Sequence, residues 1–358
     1  MIPTPAAPAL ARTLMTRFPH ADDYPHRSWS YPQGLLLWGM ARLYERTGQA
    51  VYRDYIFDYV DHHVDAQGRV ARFAGDSMDD VMTGSILVWA WRQTQDPRYL
   101  AACRQVRAAF ADYPRNDDGG FWHGKSLPYE MWVDGVFMGQ MFMTQYGAYV
   151  EDGPACFDEA ARQLTVIYDR CRKGDTGLLH HAYSQDRKAS WADPLTGCSP
   201  EVWSEGLGWY ALILAETLAV FPQDHPARSR LERQFAELAA SLAACQKDNG
   251  LWCQVVDRID DPANWQDSSG SAMFTYAIER GVLLGLLPAD PYAAVARRGY
   301  RGVLGNCSVN DQGLIDIKDA CEGLCVQDAY DIYIHYPRKL NAQEAVAASL
   351  WAFEIMER

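Results

Sequence analysis

Asp134 lies in the stretch Tyr129-Glu-Met-Trp-Val-Asp-Gly-Val-Phe-Met-Gly-Gln-Met-Phe142, just ahead of an almost unbroken apolar run. Asp79, in Met78-Asp-Asp-Val-Met-Thr-Gly84, precedes a second such run. A carboxylate at the start of a helix faces unpaired backbone N–H groups and the positive end of the helix dipole. The same placement suits an N-cap, a position that favours Asp. What sets the pair apart is the aromatic company, Trp132 above all, and the recurrence of the pattern along the chain. Two helix-start carboxylates in an aromatic pocket can do acid/base work on a carbohydrate.

A long segment running from His180 to Tyr210 is too polar and aromatic for a plain connector, and it leads into another apolar helix. Trp203 and Trp209 either line a slot for a sugar ring or fill the core. His181 either donates to a ligand oxygen or makes a structural hydrogen bond. Other chemistries find no foothold. There is no His-Glu-x-x-His, no Gly-x-Ser-x-Gly elbow and no phosphate or dinucleotide glycine motif. No spacing of His, Cys and carboxylates suggests a metal.

The whole chain bounds these options. Its 358 residues are 48% hydrophobic and 22% charged, the composition of a globular protein. A net charge of −13 argues against a nucleic-acid partner, which needs clustered Lys and Arg. Twelve Trp and 20 Tyr suit sugar rings, and equally a large core. No apolar run is long enough to span a membrane, and the first residues lack the pattern of a signal peptide. Nine scattered Cys read as reduced thiols of a cytoplasmic protein.

Five polar turns share one form: Asp65 to Gly68, Asp117 to Gly120, Asp175 to Gly177, Asp248 to Gly250 and Asn310 to Gly313. In each the Gly is expected to supply a positive φ, and a short apolar run follows. Helices apolar nearly all round are expected to begin near Gly34, Gly84, Gly135, Gly208, Gly270 and Asn341. Amphipathic helices alternate with them, over about 8–18, 50–64, 98–113, 155–171, 227–245 and 291–304. Six buried and six shielding helices predict an all-α fold, an (α/α)6 barrel of six helical hairpins in one domain over 1–358. In such a ring the inner helices run parallel. Their starts, with Tyr31, Asp79, Asp134, Glu205 and Ser269, converge on one mouth.

The motifs resemble glycoside hydrolase family 105, the unsaturated rhamnogalacturonyl hydrolases, and the related family 88 unsaturated glucuronyl hydrolases. The resemblance rests on Trp29-Ser-Tyr-Pro-Gln-Gly34, Met78 to Gly84, Met131 to Met138, His181-Ala-Tyr183, Ser199 to Tyr210, Trp252 to Val256 and Ser268 to Phe274. It weakens after about Cys307. It implies no metal or organic cofactor and a small oligosaccharide bearing a 4,5-unsaturated uronic acid at its non-reducing end. It implies hydration of the C4=C5 bond, with Asp134 as acid/base and Asp79 holding the sugar and tuning Asp134. Trp132, His181, Trp203 and Trp209 match pocket residues, and Tyr31 and Lys125 match more loosely. Where many members have Arg-Gly-Asn-Gly-Trp, this chain has Glu205-Gly-Leu-Gly-Trp209, and Ser184 stands where an Asp is common. Glu205 is expected to accept hydrogen bonds from sugar hydroxyls. Two other readings remain open at this point: an epimerase or inverting glycosidase on the same barrel, and a non-catalytic sugar-binding barrel.

Overall fold

The computed structural model describes residues 2–358. Six inner helical segments form the wall of a ring: α2 (Tyr31–Thr47), α4 (Met78–Met82) continued by α5 (Gly84–Thr94), α7 (Val133–Tyr149), α9 (Ser204–Val220), α11 (Ser268–Leu283) and α14 (Gln343–Met356). Each packs on the next, and α14 packs back on α2, so the ring closes. The Trp351 indole of α14 donates to the carbonyl of Leu35 at 2.7 Å across that seam. The outer layer is α1 (Ala6–Arg17), α3 (Ala50–His63), α6 (Pro97–Ala108), α8 (Gly153–Cys171), α10 (Arg228–Cys245) and α12 (Ala289–Gly305). The first helix, α1, shields the last inner one, and Glu357 caps it by accepting from the Ala6 and Ala7 N–H groups at 2.5 and 3.0 Å.

Sequence composition accounts for the two layers. From Ser204 to Leu218 every residue of α9 is buried, and α7 is buried from Val133 to Tyr146 with Asp134 alone half-buried. The outer α10 buries Leu231, Phe235, Leu238 and Leu242 on one face and leaves Glu232 and Arg233 outside. Closely packed inner helices need small residues where they touch. A Cβ on Gly270 would lie 2.1 Å from the Ser204 Oγ and 2.7 Å from its backbone, so only Gly lets α11 approach α9 there. Among the described residues no helix is long and apolar enough to cross a membrane.

The inner helices begin earlier than the glycines suggest. Val133 opens α7, Ser204 opens α9, and Met78 opens α4, which bends into α5 at Thr83. Asp134, Glu205 and Asp79 are therefore the second residues of their helices, not caps ahead of them. The caps are Trp132, Trp203 and Ser77, and only Ser77 uses its side chain, accepting from the Asp79 N–H. The turn glycines also divide. Gly68, Gly250 and Gly313 take positive φ, but in the other two turns that conformation falls on Gly119 and Gly174. Gly177 is there for space, since a Cβ would sit 2.2 Å from the Glu237 carbonyl carbon.

Short antiparallel ladders lie at the mouth: β1 (Glu130–Trp132) with β2 (Ala182–Ser184), and β3 (Trp252–Cys253) with β4 (Gln266–Asp267). Between α12 and α14 the chain adds β5 (Cys307–Val309) paired with β6 (Ile315–Ile317), then β7 (Ala320–Cys321) paired with β8 (Arg338–Lys339). The short α13 (Tyr330–His335) lies between β7 and β8.

Deep in the ring, Arg42 of α2 pairs with Glu216 of α9 at 2.7 Å, with both side chains almost fully buried. Tyr276 of α11 donates to the other Glu216 oxygen at 2.5 Å, and the guanidinium lies 4.3 Å from the centre of the Trp351 ring. One polar cluster thus ties four inner helices. Removing one member of such a buried pair costs about 3–5 kcal/mol, because the other charge is left unpaired. Glu216→Gln should lower unfolding stability in urea by that margin. A loss below about 1 kcal/mol, the range of exposed pairs, would show that the cluster does not hold the ring.

Candidate active site

The inner helix starts surround a cavity of about 130 Å³ lined by Tyr31, Asp79, Trp132, Asp134, Trp203, Glu205 and Trp209, together with His123, Met138, Gly323, Leu324 and Cys325. Asp134 points into it from the first turn of α7, held by the β1–β2 ladder and by the Val133 N–H donating to the His181 carbonyl at 3.1 Å. The Asp134 Oδ2 is buried without a hydrogen bond. It lies 3.2 Å from the His181 Nε2, close enough for charge to be felt but off the line of a hydrogen bond. His181 is itself buried. Its Nδ1 meets the Tyr333 hydroxyl at 3.0 Å, and its ring packs 4.6 Å from that of Trp203. It thus stands behind Asp134 and does not line the cavity.

A second His–Asp pair faces the first. The His123 Nε2 is 3.7 Å from the Asp79 Oδ2, and the imidazole stacks on Trp132 with ring centres 4.3 Å apart and planes 11° apart. Trp132 also meets the His181 ring at an angle, centres 6.0 Å apart, so one indole contacts both imidazoles. Burial works against a charged His123, but the negative charge of the nearby Asp79, with Asp134 behind it, outweighs that and raises its pKa. Gly135 is required here: a Cβ would lie 2.6 Å from the His123 Nδ1.

Glu205 lines the cavity, and two further buried acids, Glu344 and Asp267, lie behind it. Glu205 is 1% exposed, and its Oε2 has no partner. Burial, then the charges of Glu344, Asp267 and Asp134, push its pKa well above the ordinary carboxylate range. Glu344, the second residue of α14, accepts from the Tyr31 hydroxyl at 2.7 Å and from Gln343 at 2.6 Å, and burial raises its pKa too. Asp267 caps α11 and accepts from the Ser269 hydroxyl and from the Gly270 and Cys321 N–H groups at 2.6, 2.7 and 3.0 Å. Ser269 is thereby engaged in the cap of its own helix.

Trp203 and Trp209 are each 1% exposed, core-packed residues that nonetheless line the cavity. Lys125 stands apart. Its ammonium pairs with Asp76 at 3.1 Å on an exposed surface and does not line the cavity. His123, Glu344 and Gly323 to Cys325 are not among the residues the sequence nominates. His123 carried a signal, as it follows the Asp117 turn in a loop feeding the third inner helix. Glu344 would follow from starting the last helix at Gln343, two residues later than Asn341. Gly323, Leu324 and Cys325 arrive through the inserted segment, and nothing in their types marks them. Among the described residues no group of three His, Cys, Asp or Glu side chains is placed to hold a metal ion.

A closed ring of inner and outer helices with acids and indoles at one mouth is the architecture of a helical-barrel glycoside hydrolase. The chain belongs to Glycosyl Hydrolase Family 88, whose family model matches residues 7–358. It is 26% identical over 261 residues to the unsaturated rhamnogalacturonyl hydrolase YesR of Bacillus subtilis, spanning 70% of each chain. A glycoside hydrolase of family 105 from C. acetobutylicum superposes with a TM-score of 0.91 at 27% identity, over 98% of this chain and 99% of that one. The unsaturated glucuronyl hydrolase of Bacillus sp. GL1 superposes with a TM-score of 0.72 over 98% and 95% of the two chains. At 16% identity, that likeness concerns the fold alone.

Next to Asp79, the half-buried Asp80 has a pKa raised to about 6 by burial and then by the Asp79 charge. A raised acid favours folding while protonated, and that contribution disappears as pH climbs from the unfolded value of about 3.9 through the folded one. Asp80→Asn should therefore raise the melting temperature at pH 8 and leave it nearly unchanged at pH 4. An equal shift at both pH values would show that the Asp80 charge is not the cause.

Proposed function

We propose that this glycoside hydrolase removes a 4,5-unsaturated uronic acid from the non-reducing end of small lyase-generated oligosaccharides, by hydrating the C4=C5 bond. The observation that carries the reading is the Asp134 carboxyl: in the first turn of α7, facing the cavity, with one oxygen buried and committed to no protein donor. An acid/base needs that freedom, because its oxygens must exchange a proton with substrate and water. Asp134 would deliver a proton to C4 of the vinyl ether. Water adds at C5 and returns its proton to Asp134; the hemiketal opens to a C5 ketone, and the C1 hemiacetal so formed sheds the aglycone alcohol.

The remaining residues have roles that fit this scheme. Asp79 would hold sugar hydroxyls, with His123 balancing its charge. Trp132, Trp203 and Trp209 would border the ring, and Tyr31 would orient Glu344. His181, held by Tyr333, would fix the position of Asp134 from behind. We assign Lys125 at most an outer role, toward the aglycone. We take the chain as one catalytic domain, since the family match and the closed ring both run through nearly its whole length. The nine unpaired cysteines support a reducing, cytoplasmic setting, and the YesR likeness supports pectin fragments as the source of substrate.

Loss of the ultraviolet absorbance of the conjugated double bond follows turnover directly. Asp134→Asn should remain folded and lose about 10²–10⁴-fold in kcat, the usual contribution of a general acid. A variant that retained a tenth of the wild-type rate would remove Asp134 from the chemistry. Release of the aglycone with the double bond intact would replace hydration by direct glycosidic cleavage.

A further inference from the structure

Glu205 sits on α9 at the cavity wall, 1% exposed, with its Oε2 buried and unpartnered. The charged groups that weigh most on it are all acids; His123 lines the same cavity but lies beside Asp79. Glu344 comes from α14, Asp267 from the start of α11 and Asp134 from α7; Tyr31 of α2 and Cys321 of β7 are also close enough to couple to it were it ionised. No Lys or Arg lines the cavity among the described residues. Asp267 is already occupied by its cap, and the Glu344 Oε1 by Tyr31 and Gln343, while the Glu344 Oε2 is as unpartnered as that of Glu205. A carboxylate buried here without a cation would carry a large desolvation penalty, which the group escapes by holding its proton.

We propose that Glu205 is a recognition residue that meets the substrate as a neutral carboxylic acid and donates a hydrogen bond to the anionic uronate. This rests on the substrate class proposed above, and it reverses the acceptor role expected from the sequence. A neutral acid donating to an anion makes a short, charge-assisted bond, about twice as strong as a neutral one. An ionised Glu205 would instead repel the same anion. The second buried acid, Glu344, keeps Glu205 protonated by penalising a second charge beside its own, and is therefore a positioning residue.

The sign of the pH effect follows. Glu205 is neutral below its raised pKa and ionises as pH rises through it, so binding should weaken on the alkaline side. With an unsaturated uronate disaccharide, wild-type KM should climb at least tenfold over that limb. Glu205→Gln keeps a neutral donor, and should hold KM near the neutral wild-type value without the alkaline climb. Glu205→Ala should raise KM more than tenfold at every pH, with a smaller change in kcat.

Infrared difference spectra of the unliganded proteins supply a readout independent of turnover. The C=O band of a protonated carboxyl should be present in wild type at neutral pH and reduced in Glu205→Gln. Absence of that band, a Gln variant as impaired as the Ala variant, or a KM profile unaltered by Gln would each overturn the proposal. Failure of the wild-type enzyme to act on any unsaturated disaccharide would strike the substrate reading itself and the recognition role with it, whatever the infrared band shows.

Discussion

The parallel alignment of the inner helices is the constraint on which the rest depends. Because every inner helix runs the same way, six helix starts meet at one end of the ring, and the second residue of each occupies an equivalent place. At four of those places the chain has an acid: Asp79, Asp134, Glu205 and Glu344. Unpaired N–H groups and the positive dipole ends temper the cost of collecting these acids. The opposite ends carry the complement, with Arg46, Arg92 and Arg280 in the last turns of α2, α5 and α11. Glu216 and Glu354 sit among them as counter-charges, Glu354 meeting Arg46 at 3.1 Å. The barrel is polarised along its axis, acids toward the cavity and guanidinium groups toward the other end.

Much of this was readable from residue types because helix periodicity is local. All-round apolar stretches such as Leu35 to Ala41 could only be inner helices, and the step from Leu231 to Leu242 could only be one face of an outer one. Parallel inner helices then placed Asp79, Asp134 and Glu205 together without any contact being known. What escaped was tertiary. Lys125 is near Trp132 in sequence, yet Asp76, brought close by the ladder between Ser77 and Gly124, holds it outside the cavity. His181 read either as a ligand donor or as a structural hydrogen bonder, and the Nδ1 partner, Tyr333, lies 152 positions away in the chain where no local pattern points to it. The helix starts were set too late because Gly135 and Gly208 read as boundaries, whereas Gly135 makes room for His123 and Gly208 for Met273.

The segment between α12 and α14 shows why a barrel rim is hard to read. Its strands are two and three residues long, and polar and apolar residues are mixed along it, so neither period nor composition singles them out. Yet it supplies Gly323, Leu324 and Cys325 to the cavity wall and Tyr333 to His181. Gln254 and Trp265 anchor it, each donating to a backbone carbonyl of α13, that of Tyr333 or Ile334. Acidic side chains on rigid helix starts are thereby finished by a loop-rich cover, a division that lets the rim vary while the acids stay fixed.

An acidic cavity and an anionic substrate seem opposed, and the resolution lies in which acids keep their charge. Asp79 has the His123 imidazole 3.7 Å from its carboxylate. Glu205 and Glu344 have no such cation, and burial moves both toward the neutral form. Glu205 on the cavity wall and the buried Glu344 behind it therefore make that side polar without being fully charged, and the dipoles of α9 and α14 still point at it. An anion arriving there meets N–H dipoles and acid protons on one side and the His123–Asp79 pair on the other. The gradient between those two walls would turn a uronate ring to one orientation relative to Asp134, and orientation is what the proposed role of Asp134 requires.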